Sequence, residues 1–106
     1  MTDKCLVLVT CENGAEAKRI ARAVVEERLA ACVNILPGAV DSIYRWKGKV
    51  ESAPEKLLII KTSKKRLVKL QATVTRLHSY DVPEFSALPI VAGSRAYLDW
   101  LQDGVE

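Results

Sequence analysis

The apolar residues of this chain fall into runs whose period changes from segment to segment, and each change marks an element. Residues 5–10, CLVLVT, are apolar without alternation and end at the turn-prone ENG of residues 12–14, the pattern of a short strand covered on both faces. From Ala15 the period lengthens. Ala17, Ile20, Ala21, Val24, Val25 and Leu29 recur at intervals of three and four, with Glu16, Lys18, Arg19, Arg22, Glu26 and Glu27 between them, which predicts an amphipathic helix ending near Ala30. CVNIL then resumes strand character. Pro37-Gly38 interrupts it before AVDSIYRW continues with Val40, Ser42, Tyr44 and Trp46 on one face, so this strand is bent or bulged and lies at a sheet edge. Lys47-Gly48 fits a two-residue hairpin turn. The return strand runs from Lys49 through KLLIIKT, residues 56–62, with Pro54 disturbing its start.

Ser63 is placed to cap a second helix with the stripe Leu67, Leu70, Val74 and Leu77. FSALPIVA, residues 85–92, reads as a strand that Pro89 restricts to an edge or bulge, and Ser94 caps a short helix bearing Tyr97, Leu98, Trp100 and Leu101. The order strand, helix, strand, strand, helix, strand, with a terminal helix added, predicts an α+β fold with an antiparallel sheet, the ferredoxin-like split βαβ pattern. That topology puts the first and third strands at the centre of the sheet, and these are the two doubly apolar runs, LVLV and LLII. Its two long helices cover one face only. The second face of the central strands is apolar as well, so other subunits are expected to cover it, with the strand from Val40 to Trp46 and its hairpin partner reaching across.

Composition narrows the classes. Hydrophobic residues make up 49% of the 106 and charged ones 27%, an ordinary balance for one domain spanning residues 1–106. The net charge of +3 comes from interleaved basic and acidic residues, and the central strands carry aliphatic rather than stacking aromatic side chains, which argues against a nucleic-acid partner. The first apolar run is too short for a leader or a membrane span, and no basic amphipathic helix stands apart from the core, so a cytoplasmic protein with no membrane partner is expected. Cys5, Cys11 and Cys32 form no CxxC pair and no disulfide framework; Cys5 and Cys32 read as small buried hydrophobes and Cys11 as more exposed.

Candidate chemistry gathers in LHSYDVPEF, residues 77–85, which holds the single histidine. His78, Asp81 and Glu84 offer nitrogen and oxygen donors of the kind Cu2+ or Zn2+ accepts, and His78 with Glu84 is the candidate metal pair. The competing reading puts His78 at the end of the second helix, its ring donating to unpaired carbonyls. A catalytic reading would join His78, Tyr80 and Glu84 with Lys61 or Arg45, but no nucleophile elbow, phosphate-cradling glycine loop or paired metal motif accompanies them, and no enzyme is expected. Trp46, Lys61, Tyr80 and Glu84 are the candidate lining of a ligand pocket between subunits.

Five ordered blocks, ERLAACVNILPG, SIYRWKGKVE, LLIIKT, LHSYDVPEFSALPI and GSRAYLDWL, together resemble the CutA divalent-ion tolerance family from Cys5 to Leu101. The resemblance implies a cytoplasmic ferredoxin-like homotrimer with hairpins reaching between subunits. It implies a role in tolerance of divalent metal ions, as a weak binder of Cu2+ or another divalent cation or as a signalling or scaffold protein, without an organic cofactor. In family members described as copper binders, a cysteine late in the first strand and two adjacent histidines after the second helix are the implied ligands. This chain has Val9 and Leu77 at two of those positions and keeps only His78. A second expectation is a small-molecule sensor similar to the PII signalling proteins, with its ligand at the cleft between subunits, and a third is an enzyme using that cleft.

Overall fold

The computed structural model describes residues 2–106. Its centre is the antiparallel pair β1 (Lys4–Cys11) and β4 (Lys49–Ser63), in register from Lys4 opposite Ser63 to Cys11 opposite Lys56. On the far edge of β1 lies β5 (Ser86–Pro89), and on the far edge of β4 lies β2 (Cys32–Ile35), giving the order β2-β4-β1-β5. β3 (Val40–Trp46) continues along the same edge of β4 beyond β2. The two doubly apolar runs thus occupy the centre, and the runs interrupted by Pro37 and Pro89 the edges, as the periodicity predicts.

Alternation along β1 and β4 divides the sheet. Val7, Val9, Cys11, Leu58 and Ile60 point to one face and pack against Ala17, Ile20 and Val24 of α1 (Gly14–Glu26) and Leu70 and Val74 of α2 (Leu67–Leu77). All of these are fully buried, and each large aliphatic among them contributes about 1.5–3 kcal/mol of transfer free energy. Leu6, Leu8, Leu57 and Ile59 take the opposite face and are only half-buried. α3 (Arg95–Gly104) covers part of that face, where Gln102 accepts from the Lys4 ammonium at 2.7 Å.

Several expectations need correction. α1 stops at Glu26, four residues before Ala30, in a Schellman closure: Leu29 N–H reaches Val24 O (2.9 Å), Arg28 N–H reaches Val25 O (3.0 Å), and Arg28 takes φ +60° where glycine is usual. Ser63 makes no side-chain cap; a 3-10 turn, Lys64–Arg66, precedes α2. Cys11 is fully buried rather than exposed, because it shares the helix-facing side with Val7 and Val9, while Cys32 on the edge strand is half-buried. β4 runs unbroken through Pro54. The turn Lys47-Gly48 is the expected two-residue one, of type I′ by its φ of 50° and 80°, and counting from it puts Pro54, opposite Asp41, in a non-hydrogen-bonded pair. The donor that proline lacks would have pointed to an edge that has no partner strand among the described residues, since the pairing with β1 ends at Lys56.

The β3–β4 hairpin projects from this body. A chain of 106 residues packed to ordinary density has a radius of gyration of about 13 Å. Here it is 14.2 Å, with extents of 44 × 25 × 25 Å. Ile43 and Val50 on the hairpin stay 72% and 64% exposed.

Candidate functional site

α1 begins where β1 ends, and this junction sets the position of three donor side chains. Asn13 caps the helix by accepting from Glu16 N at 2.9 Å, which fixes Glu16 in the first turn, where the helix dipole favours a carboxylate. In a capping box that carboxylate would turn back to the cap residue's N–H. Instead it faces inward, with its side chain only 6% exposed, beside Cys11 and below the end of α2. His78 directly follows α2, and its side chain is fully buried.

The hydrogen bonds assign the imidazole protons. His78 Nδ1 accepts from Tyr80 N at 3.1 Å, so its lone pair is free of a proton, and Nε2 donates to Thr10 O at 2.8 Å. The ring is therefore the neutral Nε2–H tautomer, bonded to β1 rather than to the carbonyls of its own helix. Glu16 Oε2 accepts from Ser79 N at 3.2 Å. Glu16 Oε1 stands 3.6 Å from His78 Nδ1, acceptor facing acceptor, and is the one buried side-chain oxygen or nitrogen among the described residues without a hydrogen-bond partner. Cys11 completes the group: its sulfur, a Glu16 oxygen and a His78 nitrogen all lie within 4.8 Å of one another. Burial, with the Glu16 and Glu55 carboxylates behind it, pushes the Cys11 thiol up to about 12.

Tyr80 links this cluster to an open cleft of about 710 Å³ lined by Thr10, Trp46, Glu55, Tyr80, Asp81 and Glu84, among others. The Tyr80 hydroxyl donates to Glu55 Oε2 at 2.8 Å, and burial together with that bond raises the phenol above its ordinary range. Of the sequence-predicted pocket residues, the structure brings Trp46, Tyr80 and Glu84 together. Lys61 lies elsewhere within the chain, its ammonium bonded to Asn34 of β2. Within one chain His78 and Glu84 do not share a donor group: Glu84 is exposed and accepts from Ser86 Oγ at 2.9 Å. Arg45 bonds Gly48 O at the hairpin tip. Val9 is sealed in the core and Leu77 is half-buried against it.

The sequence reading leaves Glu16 on the polar side of α1 and puts Cys11 on the face of Val9 only if the first strand continues, so it does not join them to His78; β1 does run on to Cys11. The N-x-x-E spacing from Asn13 to Glu16 was the available signal, since it holds the acid in the first turn, next to the strand end.

Comparison with known proteins places the molecule. The description "CutA1 divalent ion tolerance protein" matches residues 5–104. The chain belongs to the CutA1 family. The divalent-cation tolerance protein CutA of Thermus thermophilus is 53% identical over 98 residues, covering 92% of this chain and 94% of the relative. The solved structure of a divalent cation tolerance protein from Thermus thermophilus superposes with a TM-score of 0.94 at 50% identity, over 97% of this chain and 99% of that one. The chloroplastic CutA of Arabidopsis thaliana is 51% identical over 92% of this chain, which spans only 53% of that relative's length. CutA1 membership accounts for the antiparallel α+β architecture and for the five sequence blocks at once.

Proposed function

We propose that this protein serves in tolerance of divalent cations as a cytoplasmic, ferredoxin-like homotrimer, binding metal weakly or acting as a scaffold in the response to it, without catalysing a reaction. The match to CutA1 over residues 5–104 carries this reading. The geometry supports it in two ways. The chain gathers thiol, carboxylate and imidazole donors of the kind Cu2+ and other divalent ions accept. It also leaves Ile43, Tyr44, Trp46 and Val50 of the hairpin and Leu88 of β5 exposed, an apolar surface that further copies would cover. No helix among the described residues is long and apolar enough to cross a membrane.

In this assembly the cleft containing Trp46, Tyr80 and Glu84 lies at a subunit boundary. Lys61 stands beside Leu57 and Ile59 on the incompletely covered sheet face and reaches the boundary from that side. His78 and Glu84 then take part in ion binding from separate positions, Glu84 at the cleft and His78 buried after α2.

Two measurements test the proposal. Sedimentation equilibrium at micromolar concentration is expected to return three times the 11.7 kDa chain mass, and a stable monomer would remove the trimer. A bacterial strain deleted for its own CutA1 protein should regain growth in elevated copper or zinc when it expresses this chain; unchanged sensitivity would reject the tolerance role.

A further inference from the structure

We propose that Cys11 Sγ, Glu16 Oε1 and His78 Nδ1 form a three-donor site for a borderline divalent cation of the zinc or cobalt class, and that filling it releases the Tyr80 amide from the imidazole. The inference rests on the cation-tolerance reading, and it goes further by naming the donors and the consequence of binding. Of the ligand positions that the family resemblance implies it uses only His78, since Val9 and Leu77 carry no donor.

The unpartnered carboxylate oxygen points to an occupant. A buried carboxylate oxygen left without a donor costs about 1–3 kcal/mol, and here it faces a second lone pair 3.6 Å away. A positive centre between Glu16 Oε1 and His78 Nδ1 would satisfy both. A tetrahedral ion with bonds of about 2.0–2.2 Å to nitrogen and oxygen holds those two donors about 3.3–3.6 Å apart, close to the spacing this pair already has. Cys11 Sγ, within 4.8 Å of a Glu16 oxygen and a His78 nitrogen, needs a rotamer adjustment on the order of 1 Å to join them. Thiolate and imidazole favour a borderline ion and disfavour magnesium or calcium, which take oxygen ligands. Coordination forms one metal–sulfur bond, breaks the S–H bond and passes the thiol proton to the buffer, with no change of oxidation state.

The imidazole couples the site to the cleft. Nδ1 has a single lone pair, now used by Tyr80 N–H, and the same lone pair must bind the ion, because Nε2 is held by Thr10 O. Binding therefore frees the Tyr80 backbone, whose side chain anchors the cleft through Glu55.

Metal-stripped, reduced protein titrated with Co(II) is expected to develop a near-ultraviolet thiolate-to-cobalt charge-transfer band at one ion per chain, displaced by Zn(II). Cys11→Ser should abolish the band, while Cys5→Ser and Cys32→Ser keep it. Glu16→Gln preserves the shape of the side chain and should weaken binding about tenfold or more with an unchanged thermal midpoint, so the test stands even if a cysteine variant folds poorly. The Tyr80 amide resonance should shift on Zn(II) addition in wild type and stay in place in Glu16→Gln at the same ion concentration. Absence of the band in wild type, its survival in Cys11→Ser, or its loss in Cys32→Ser would overturn the assignment. Growth in elevated zinc separates the two readings. Rescue by Cys11→Ser equal to wild type keeps the tolerance role and sinks this site; a cobalt band without rescue by any form keeps the site and sinks the role.

Discussion

Glu16 shows how one residue can oppose the stability of its own fold. A carboxylate with one oxygen unpartnered, in contact with a fully buried thiol and imidazole, is a poor choice for a core position. Glu16→Met should therefore leave the metal-free protein as stable as wild type or raise its unfolding free energy by about 1 kcal/mol, because the exposed Ser79 can give its amide to water. Denaturant titration decides it; a loss larger than about 1 kcal/mol would make the carboxylate structural. Cys11 offers a second check. With its thiol pushed up to about 12, roughly one molecule in ten thousand carries the thiolate at pH 8. Iodoacetamide labelling at pH 8 followed by mass spectrometry is expected to spare Cys11 until the chain unfolds, while half-buried Cys32 reacts earlier. Neither property was legible from residue type alone. Periodicity placed Glu16 with the solvated residues of α1, and the polar neighbours of Cys11 concealed that β1 runs one residue past Thr10 and turns that sulfur inward.

At the scale of elements, the runs that were read correctly are those in which burial and period agree: LVLV in β1, LLII in β4 and the Leu70–Val74 stripe of α2. Misreadings fall at ends, where backbone closure overrides side-chain type. Arg28 supplies the left-handed residue that glycine usually provides, and its guanidinium compensates by bonding Asp103 O in the last turn of α3 and Glu106 O beyond it. The same contact zone makes α3 sensitive to a small change. A Cβ on Gly104 would fall 2.7 Å from Ala31 Cβ and 3.0 Å from its Cα. Gly104→Ala gains about 1 kcal/mol of helix propensity, yet the overlap with β-carbon and backbone should win, for a net loss of about 1–3 kcal/mol. Ala31→Gly introduced beside it should restore part of that loss, a coupling that a double-mutant cycle reads directly. Additive losses would mean that α3 simply shifts outward.

For the whole molecule, the unsolved problem of the single chain is its hairpin. β3 packs extensively against β4 alone among the described elements, and the pair holds Ile43, Tyr44, Trp46 and Val50 at the surface of a 44 Å long body. A two-stranded ribbon of this kind is marginal in water without a third surface. The type I′ turn and paired register preform it, so the remaining need is apolar cover, which threefold association would provide at each hairpin. Covering an isoleucine or valine contributes about 1.5–3 kcal/mol per copy, and a carboxylate placed there would be buried unpaired. Ile43→Asp combined with Val50→Asp should therefore shift the sedimenting species from the proposed trimer to monomer while far-ultraviolet circular dichroism keeps the signature of α1, α2 and the central sheet. The buried core of Val7, Leu58, Ile60, Ile20 and Leu70 lies within one chain, so the fold has the means to survive dissociation. An unchanged mass for the double variant would show that the hairpin is not the joining surface. Loss of both assembly and secondary structure would show instead that the single chain cannot hold its sheet without the neighbours.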